Sequence, residues 1–254
     1  MILCLDCGNT RIKIGLFEGN ELKKSLSIKT DRTRSSDEYA ISFSSLIKQE
    51  VTGAIISSVV PLLTDTIFYA LKTAFNVNAL VVSKKLKTKL PIKTDNPVEV
   101  GSDLIAGAIG ARLSTPLPFI VADLGTATKL YVIDKNGAFI GAIITAGMEI
   151  SLKALVQNTS QLLETPIEAP SKIIGKNTKD SIQSGIVYGQ AYMVSEFARR
   201  IEKELGYELN RVLTGGFADR IKDEIVCYNY DPYLVLRGLN YIYQINSSGD
   251  VYAK

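Results

Sequence analysis

A chain of 254 residues, 46% hydrophobic and 22% charged, can bury a sizeable core in one or two domains. A formal net charge of +3 over that length gives no reason to expect a nucleic-acid partner, no segment approaches the apolar length of a membrane span, and the N-terminus lacks the basic start of a signal peptide. The sequence therefore reads as soluble and cytoplasmic, and since it contains no histidine, any proton acceptor must be a carboxylate, lysine, tyrosine or cysteine.

The first stretch, MILCLDCGNTRIKIGLF, sets the pattern for the rest. An apolar run, Ile2 to Leu5, predicts a buried strand; it stops at Asp6-Cys7-Gly8-Asn9-Thr10 and resumes as Ile12, Ile14 and Leu16 alternating with Arg11 and Lys13. This is a β-hairpin whose tip carries an acid, an amide and a hydroxyl. Gly8 lets a ligand approach the backbone, Asn9 and Thr10 offer donors to phosphate oxygens, and Asp6 stands where a metal ion bridging phosphates can be held. For the pentapeptide alone, an ordinary polar turn is the alternative. Cys4 and Cys7 make a C-x-x-C, but they lie on a strand and its turn rather than at a helix N-terminus, and with only Cys227 besides and no histidine a zinc site lacks ligands.

Glu21 to Lys29 predicts a third strand and Ser35 to Gln49 a helix started by Ser36-Asp37; Ala54-Ile55-Ile56 is a buried strand, Pro61 opens a helix through Phe75, and Ala79 to Val82 is another strand. The order implies an α/β layer with crossovers. Ser83 to Glu99 is a long polar connection leading into Gly101-Ser102-Asp103 and a helix of small residues, Leu104 to Leu113. Those small residues allow close packing of another element.

At Phe119 the opening pattern returns. FIVADLGTATKLYVI gives an apolar strand, then Asp123-Leu124-Gly125-Thr126, then an alternating strand, so that Asp6 matches Asp123 and Gly8 matches Gly125. Two diverged copies of one unit, the first over residues 1–115 and the second over 116–254, suggest a nucleotide held between two similar domains. Phe139 to Thr145 predicts a strand, Ala146-Gly147-Met148 the entry to a helix running to about Val156, and Gln157 to Ile174 an irregular segment. A long helix over Asp180 to Leu205 follows, then a strand at Arg211 to Leu213 that stops at Thr214-Gly215-Gly216. A helix Phe217 to Glu224 is expected after those glycines, with its N-terminus open to phosphate or ribose, a plain strand–helix turn being the alternative. Leu234 to Ile245 is a last amphipathic helix.

Taken together, DCGNTRIK (Asp6–Lys13), SSVVP (Ser57–Pro61), NPVEVGSD (Asn96–Asp103), ADLGTAT (Ala122–Thr128), GKNTKDSIQSGIVYG (Gly175–Gly189), TGG (Thr214–Gly216) and DPYLVLRGLNYIY (Asp231–Tyr243) resemble the type III pantothenate kinases over nearly the full chain. The resemblance implies the acetate-and-sugar-kinase/Hsp70/actin (ribonuclease H-like) fold, two similar α/β domains with a cleft between them. It also implies phosphorylation of pantothenate with ATP at the start of coenzyme A synthesis, a homodimer, a requirement for Mg2+, and a monovalent cation, K+ or NH4+. Carried over residue by residue, Asp6, Cys7, Gly8, Asn9, Thr10, Arg11, Ile12 and Lys13 would bind ATP, as would Thr126. Asp123 would be a ligand of the monovalent cation and Asp103 the catalytic base, with Gly101, Ser102, Asp103 and Thr178 at the acceptor. Independently of the resemblance, Ser102 and Asp103 also suit a helix cap and first turn.

Several positions depart from the family pattern: Leu104 stands where GxDR has arginine, Thr94 where an aromatic residue packs on substrate, Lys129 and Tyr131 where GTATTFD has threonine and aspartate, and Ala146 where PG has proline. They cluster on the acceptor side and around the second hairpin, with the first phosphate loop intact, and keep two alternatives open: a nucleotide-binding relative with little or no catalysis and a regulatory role, and a kinase of this fold for another small acceptor. Lys129 fills the cation site from within, supplies the charge lost where Leu104 replaces the arginine, or points off an exposed strand face.

Overall fold

The computed structural model describes residues 1–83, 85–159, 162–225 and 228–247; Cys227 and the Ser160-Gln161 part of the irregular segment lie outside them. In chain order the strands and helices are β1 (Ile2–Cys7), β2 (Arg11–Glu18), β3 (Glu21–Lys29), α1 (Ser36–Leu46), β4 (Gly53–Ser58), α2 (Pro61–Phe75), β5 (Leu80–Val81) and α3 (Ser102–Arg112). They continue as β6 (Phe119–Leu124), β7 (Ala127–Ile133), β8 (Phe139–Ala146), α4 (Met148–Gln157), α5 (Thr178–Leu205), β9 (Asn210–Thr214), β10 (Tyr228–Tyr230) and α6 (Leu234–Ser247).

The chain condenses into two units. The first takes Met1–Leu90, Asp95–Ser114 and the chain from Tyr233 onward, and the second takes Pro91–Thr94 and Thr115–Pro232. The last helix thus joins the unit with which the chain began, a return that a boundary drawn along the sequence at 115/116 does not express.

In the first unit a five-stranded sheet runs β3-β2-β1-β4-β5, antiparallel from β3 to β1 and parallel from β1 to β5. Strand period two sends Leu3, Leu5, Ile14 and Ile56 to one face, where they form a core with Tyr39 and Phe43 of α1 and Leu63 and Ile67 of α2. Helix α1 starts on a capping box: Ser35 caps the Glu38 N–H while the Glu38 carboxylate accepts from the Ser35 N–H. Helix α6 lies against β1, β2 and β4 on the opposite face and packs along α3. That pairing explains the small residues of α3. A Cβ on Gly110 would run into the Leu234 carbonyl, and one on Gly238 into the carbonyl of Ala106, so the two backbones touch.

The second unit repeats the plan with order β10-β9-β6-β7-β8: β6, β7 and β8 antiparallel, β6, β9 and β10 parallel. Ile120, Ala122 and Leu124 face a core with Val187, Ala191 and Val194 of α5 and Met148 of α4. One expected helix is absent: in place of Phe217–Glu224 there is only a 3₁₀ turn, Ala218–Arg220. Gly215 takes φ +107° and lies so close to Leu124 that no side chain fits, and the Phe217 N–H donates to the Leu124 carbonyl (2.9 Å). The glycine pair turns the chain onto β6 instead of opening a helix, so no helix N-terminus is formed for a phosphate there.

Candidate active site

In the first hairpin, β1 and β2 pair so that Asp6 stands opposite Lys13 and Cys7 opposite Ile12, leaving Gly8-Asn9-Thr10 as the turn. The turn is held from several sides: the Gly8 N–H donates to the Arg11 carbonyl (3.0 Å), Thr30 Oγ1 to the Gly8 carbonyl (2.7 Å) and Arg32 Nη2 to Asn9 Oδ1 (2.8 Å). Asn9, Thr10 and Arg11 are exposed. Arg11 leans onto β3, its Nε donating to Ser27 Oγ at 2.7 Å. Cys7 and Ile12 are fully buried, so neither presents its side chain to a ligand. Burial pushes the thiols of Cys4 and Cys7 well up, that of Cys7 with help from the Asp6 charge, which leaves both as inert core residues.

On the other side of β1, parallel β4 brings Ser57 opposite Asp6 and Ser58 opposite Cys7. Ser57 is fully buried, and its hydroxyl lies 2.9 Å from that of Ser102, the first residue of α3. The hydrogen bond ties the start of α3 to the C-terminal ends of the parallel strands, the end at which open α/β sheets bind ligands. Asp103 follows in the first turn. Gly101 is the N-cap and has no side chain to offer, and Asp103 Oδ1 accepts the Leu104 N–H at 2.9 Å. The expected acceptor loop, Gly101 to Asp103, and the phosphate turn therefore belong to one unit and one edge of its sheet. Ser57 had drawn no role from sequence; the signal was a hydroxyl in an otherwise apolar strand, GAIISS.

The second hairpin has the same cross-strand register, Asp123 opposite Lys129, with Thr214 of β9 opposite Asp123 on the parallel side. Here the pair closes: Lys129 Nζ is 3.0 Å from Asp123 Oδ2, with side-chain exposures of 17% and 13%. The turn is tied by backbone, Gly125 N–H to the Ala127 carbonyl and Gly147 N–H to the Thr126 carbonyl, each 3.2 Å. Gln190 on α5, unremarked in the sequence, is buried between Thr128 Oγ1 (2.8 Å) and the Ala146 carbonyl (3.0 Å) and fixes β7 and β8 to the helix. Thr178 is the exposed first residue of α5, behind the N-cap Asn177.

The departures from the family pattern also find places. Leu104 is 7% exposed, an apolar residue in the packed face of α3. Tyr131 is fully buried and stacks on Phe139 with ring centroids 5.9 Å apart. Thr94 Oγ1 is buried and meets no hydrogen-bond partner among the described residues.

The family profile described as type III pantothenate kinase matches residues 2–200. Two relatives described as type III pantothenate kinase are 38% identical over 252 residues (Agathobacter rectalis; 96% of this chain, 97% of the relative) and 40% identical over 248 (Acholeplasma laidlawii; 97% and 99%). Among solved structures, a Baf family protein from Campylobacter jejuni superposes with a TM-score of 0.64 at 17% identity, covering 97% of this chain and 99% of that one. The 2-hydroxyisocaproyl-CoA dehydratase activator from Clostridium difficile with bound ADPNP superposes with a TM-score of 0.54 at 12% identity, covering 100% and 98%. At such identities the structural likenesses show the fold: two mixed sheets with helices, of the actin, Hsp70 and sugar-kinase type.

Proposed function

The chain belongs to the type III pantothenate kinase family, phosphotransferases acting on pantothenate with ATP as donor, and we propose that Asp103 is the group that receives the acceptor's proton. In the transfer, the pantothenate hydroxyl oxygen bonds to the γ-phosphorus, the bond from that phosphorus to the β–γ bridging oxygen breaks to leave ADP, and the hydroxyl proton passes to the Asp103 carboxylate. Such a reaction gains most of its rate from positioning and from neutralising phosphate charge.

The observation that carries the reading is the Ser57–Ser102 hydrogen bond. It holds the start of α3 beside the strand ends that bear Asp6, so the turn for phosphate and the carboxylate for the proton belong to one rigid edge. Asp6 through Lys13 form the ATP phosphate turn, with Asn9 and Thr10 as donors and Lys13 as counter-charge; Thr126 is a further ATP contact, and Gly101, Ser102 and Thr178 meet the acceptor. Mg2+ fits this donor set. No group of three or more acidic or thiol side chains gathers among the described residues, and Asp6 supplies one hard oxygen, as suits an ion that keeps its waters and rides on nucleotide phosphates. When bound, the ion supplies charge neutralisation between the phosphates.

A homodimer is part of the proposal. Ile144 on the edge strand β8 (66% exposed) and Ile150 on α4 (42% exposed) are apolar surface available to a second copy, whereas the small face of α3 is already occupied by α6. No helix among the described residues is long and apolar enough to cross a membrane; a cytoplasmic enzyme is the reading its substrates support.

One observation favours the reading without catalysis. Asp103 accepts the backbone N–H of Leu104 like a helix-capping residue, and Leu104 is core. ADP release measured with Mg2+, with and without pantothenate, tests the activity, and Asp103→Asn separates base from cap: we expect unchanged ATP binding and thermal midpoint with kcat lowered by roughly 10²-fold. Full activity with only a lowered midpoint would make Asp103 a cap.

A further inference from the structure

A monovalent cation implied at Asp123 does not fit the residues present. The acid that would hold it already meets an ammonium group: Lys129 Nζ lies 3.0 Å from Asp123 Oδ2, and both side chains are largely enclosed. We propose that Lys129 is a tethered replacement for that ion, and that this chain binds its nucleotide without potassium or ammonium.

The pairing follows from the register. Directly opposed residues on neighbouring antiparallel strands project to the same face, so the pairing of β6 and β7 with Asp123 across from Lys129 brings the two charges within reach of each other. The row extends to Thr214 of β9, 2% exposed, beyond Asp123, and to Ile144 of β8 beyond Lys129. A lysine ammonium is a compact point charge with three donors, which is also the chemistry of an ammonium ion. A second monovalent cation at the same carboxylate would face like charge at close range in a partly desolvated place. Most other ion pairs of the chain are ordinary surface pairs: Lys23 with Glu18, or Arg199 with Glu196, leave their side chains 34 to 69% exposed. Arg211 with Glu202 is comparably enclosed, but that pair links β9 to α5 and is remote in sequence from either phosphate hairpin.

The inference rests on the nucleotide-binding reading for one of its two readouts. Calorimetric MgATP binding and the thermal midpoint of the ligand-free protein are measured in sodium, potassium and ammonium chloride at constant ionic strength, for the wild type, Lys129→Thr and Lys129→Met. Wild-type affinity and midpoint should be the same in all three salts. Lys129→Thr, which vacates the position and restores a hydroxyl, should lose about tenfold in MgATP affinity in sodium and regain it in potassium or ammonium, with a potassium-specific rise in ligand-free midpoint; Lys129→Met, which fills the space without charge, should lose affinity in every salt. Wild-type binding that tightens several-fold with potassium overturns the proposal, whether or not the variants fold. So does a Lys129→Thr protein weakened equally in all salts, since that makes the lysine a plain structural partner of Asp123. If no form binds MgATP, the kinase reading fails, and the ligand-free midpoint of Lys129→Thr decides the tether alone: a potassium-specific rise upholds it and its absence overturns it.

Discussion

In the first hairpin Asp6 stands across from Lys13, in the second Asp123 stands across from Lys129, and each acid has a hydroxyl residue, Ser57 or Thr214, opposite it on its parallel neighbour. The turns that follow are built differently. The first leaves Asn9, Thr10 and Arg11 exposed and is braced by side chains, Thr30 and Arg32. The second is one residue shorter between acid and lysine, is braced by backbone from Gly147 and Phe217, and has its acid and lysine joined to each other. A repeat can therefore keep acid opposite lysine while its two copies build the turn between them differently. One leaves polar groups exposed, where the proposed function puts a ligand, and the other joins its acid and lysine to each other.

The sharpest way to break that comparison is Asp6→Asn. We expect turnover to fall by roughly 10²- to 10³-fold, an effect larger than that on the thermal midpoint, because in the proposed reading the acid acts on phosphate and metal charge. Gly238→Ala comes next and acts on the platform under the first hairpin: a methyl group driven into the Ala106 carbonyl should cost about 2–3 kcal/mol by urea denaturation. Asp123→Asn should resemble Gly238→Ala rather than Asp6→Asn, losing about 2 kcal/mol because it leaves the Lys129 charge enclosed without its partner. A variant of Asp123 that lost turnover yet kept full stability would mean that the two hairpins do the same job after all.

The smallest effect concerns Asp134, another acid of the second unit given over to structure. Burial alone would raise its pKa, but the backbone N–H groups of Ala138 and Asn136, with Lys93 nearby, hold it below the ordinary value. A carboxyl depressed on folding adds stability that is full above the unfolded value, about pH 4, and is lost as pH falls through the folded value. Asp134→Asn should therefore cost about 1 kcal/mol at neutral pH and flatten the fall in stability below about pH 4.

The strands and helices were largely legible because their burial is one-sided or complete, and periodicity reports that directly: β3 spans Glu21–Lys29 as expected, and Pro61 opens α2. The cross-strand meeting of Asp123 and Lys129 was not fixed by the sequence, since a two-residue turn would set Asp123 opposite Thr128 and only the three residues between Leu124 and Thr128 bring Lys129 across from it. What resisted reading was set by distant partners. The small residues of α3 signalled a close neighbour, but nothing local said that the neighbour is α6 of the same unit. Gly215-Gly216 looked like the mouth of a helix because a glycine needed for φ +107° and contact with Leu124 is indistinguishable in sequence from one needed for a phosphate. Ser57 was silent for the same reason: a serine in a buried strand reads as tolerated until the hydroxyl across from it, Ser102, is known.

The return of α6 to the first unit has a consequence for how the chain is made on a ribosome. The sheet that carries Asp6 is complete after β5, but one of its faces, and the bare backbone of Gly110 on α3, have no cover until Leu234–Ser247 has been synthesised. At ordinary elongation rates residues 115–232 take on the order of ten seconds to add. By the end of that interval the second unit has all its elements while the first still waits with an open face, so the half of the molecule that begins first is finished last.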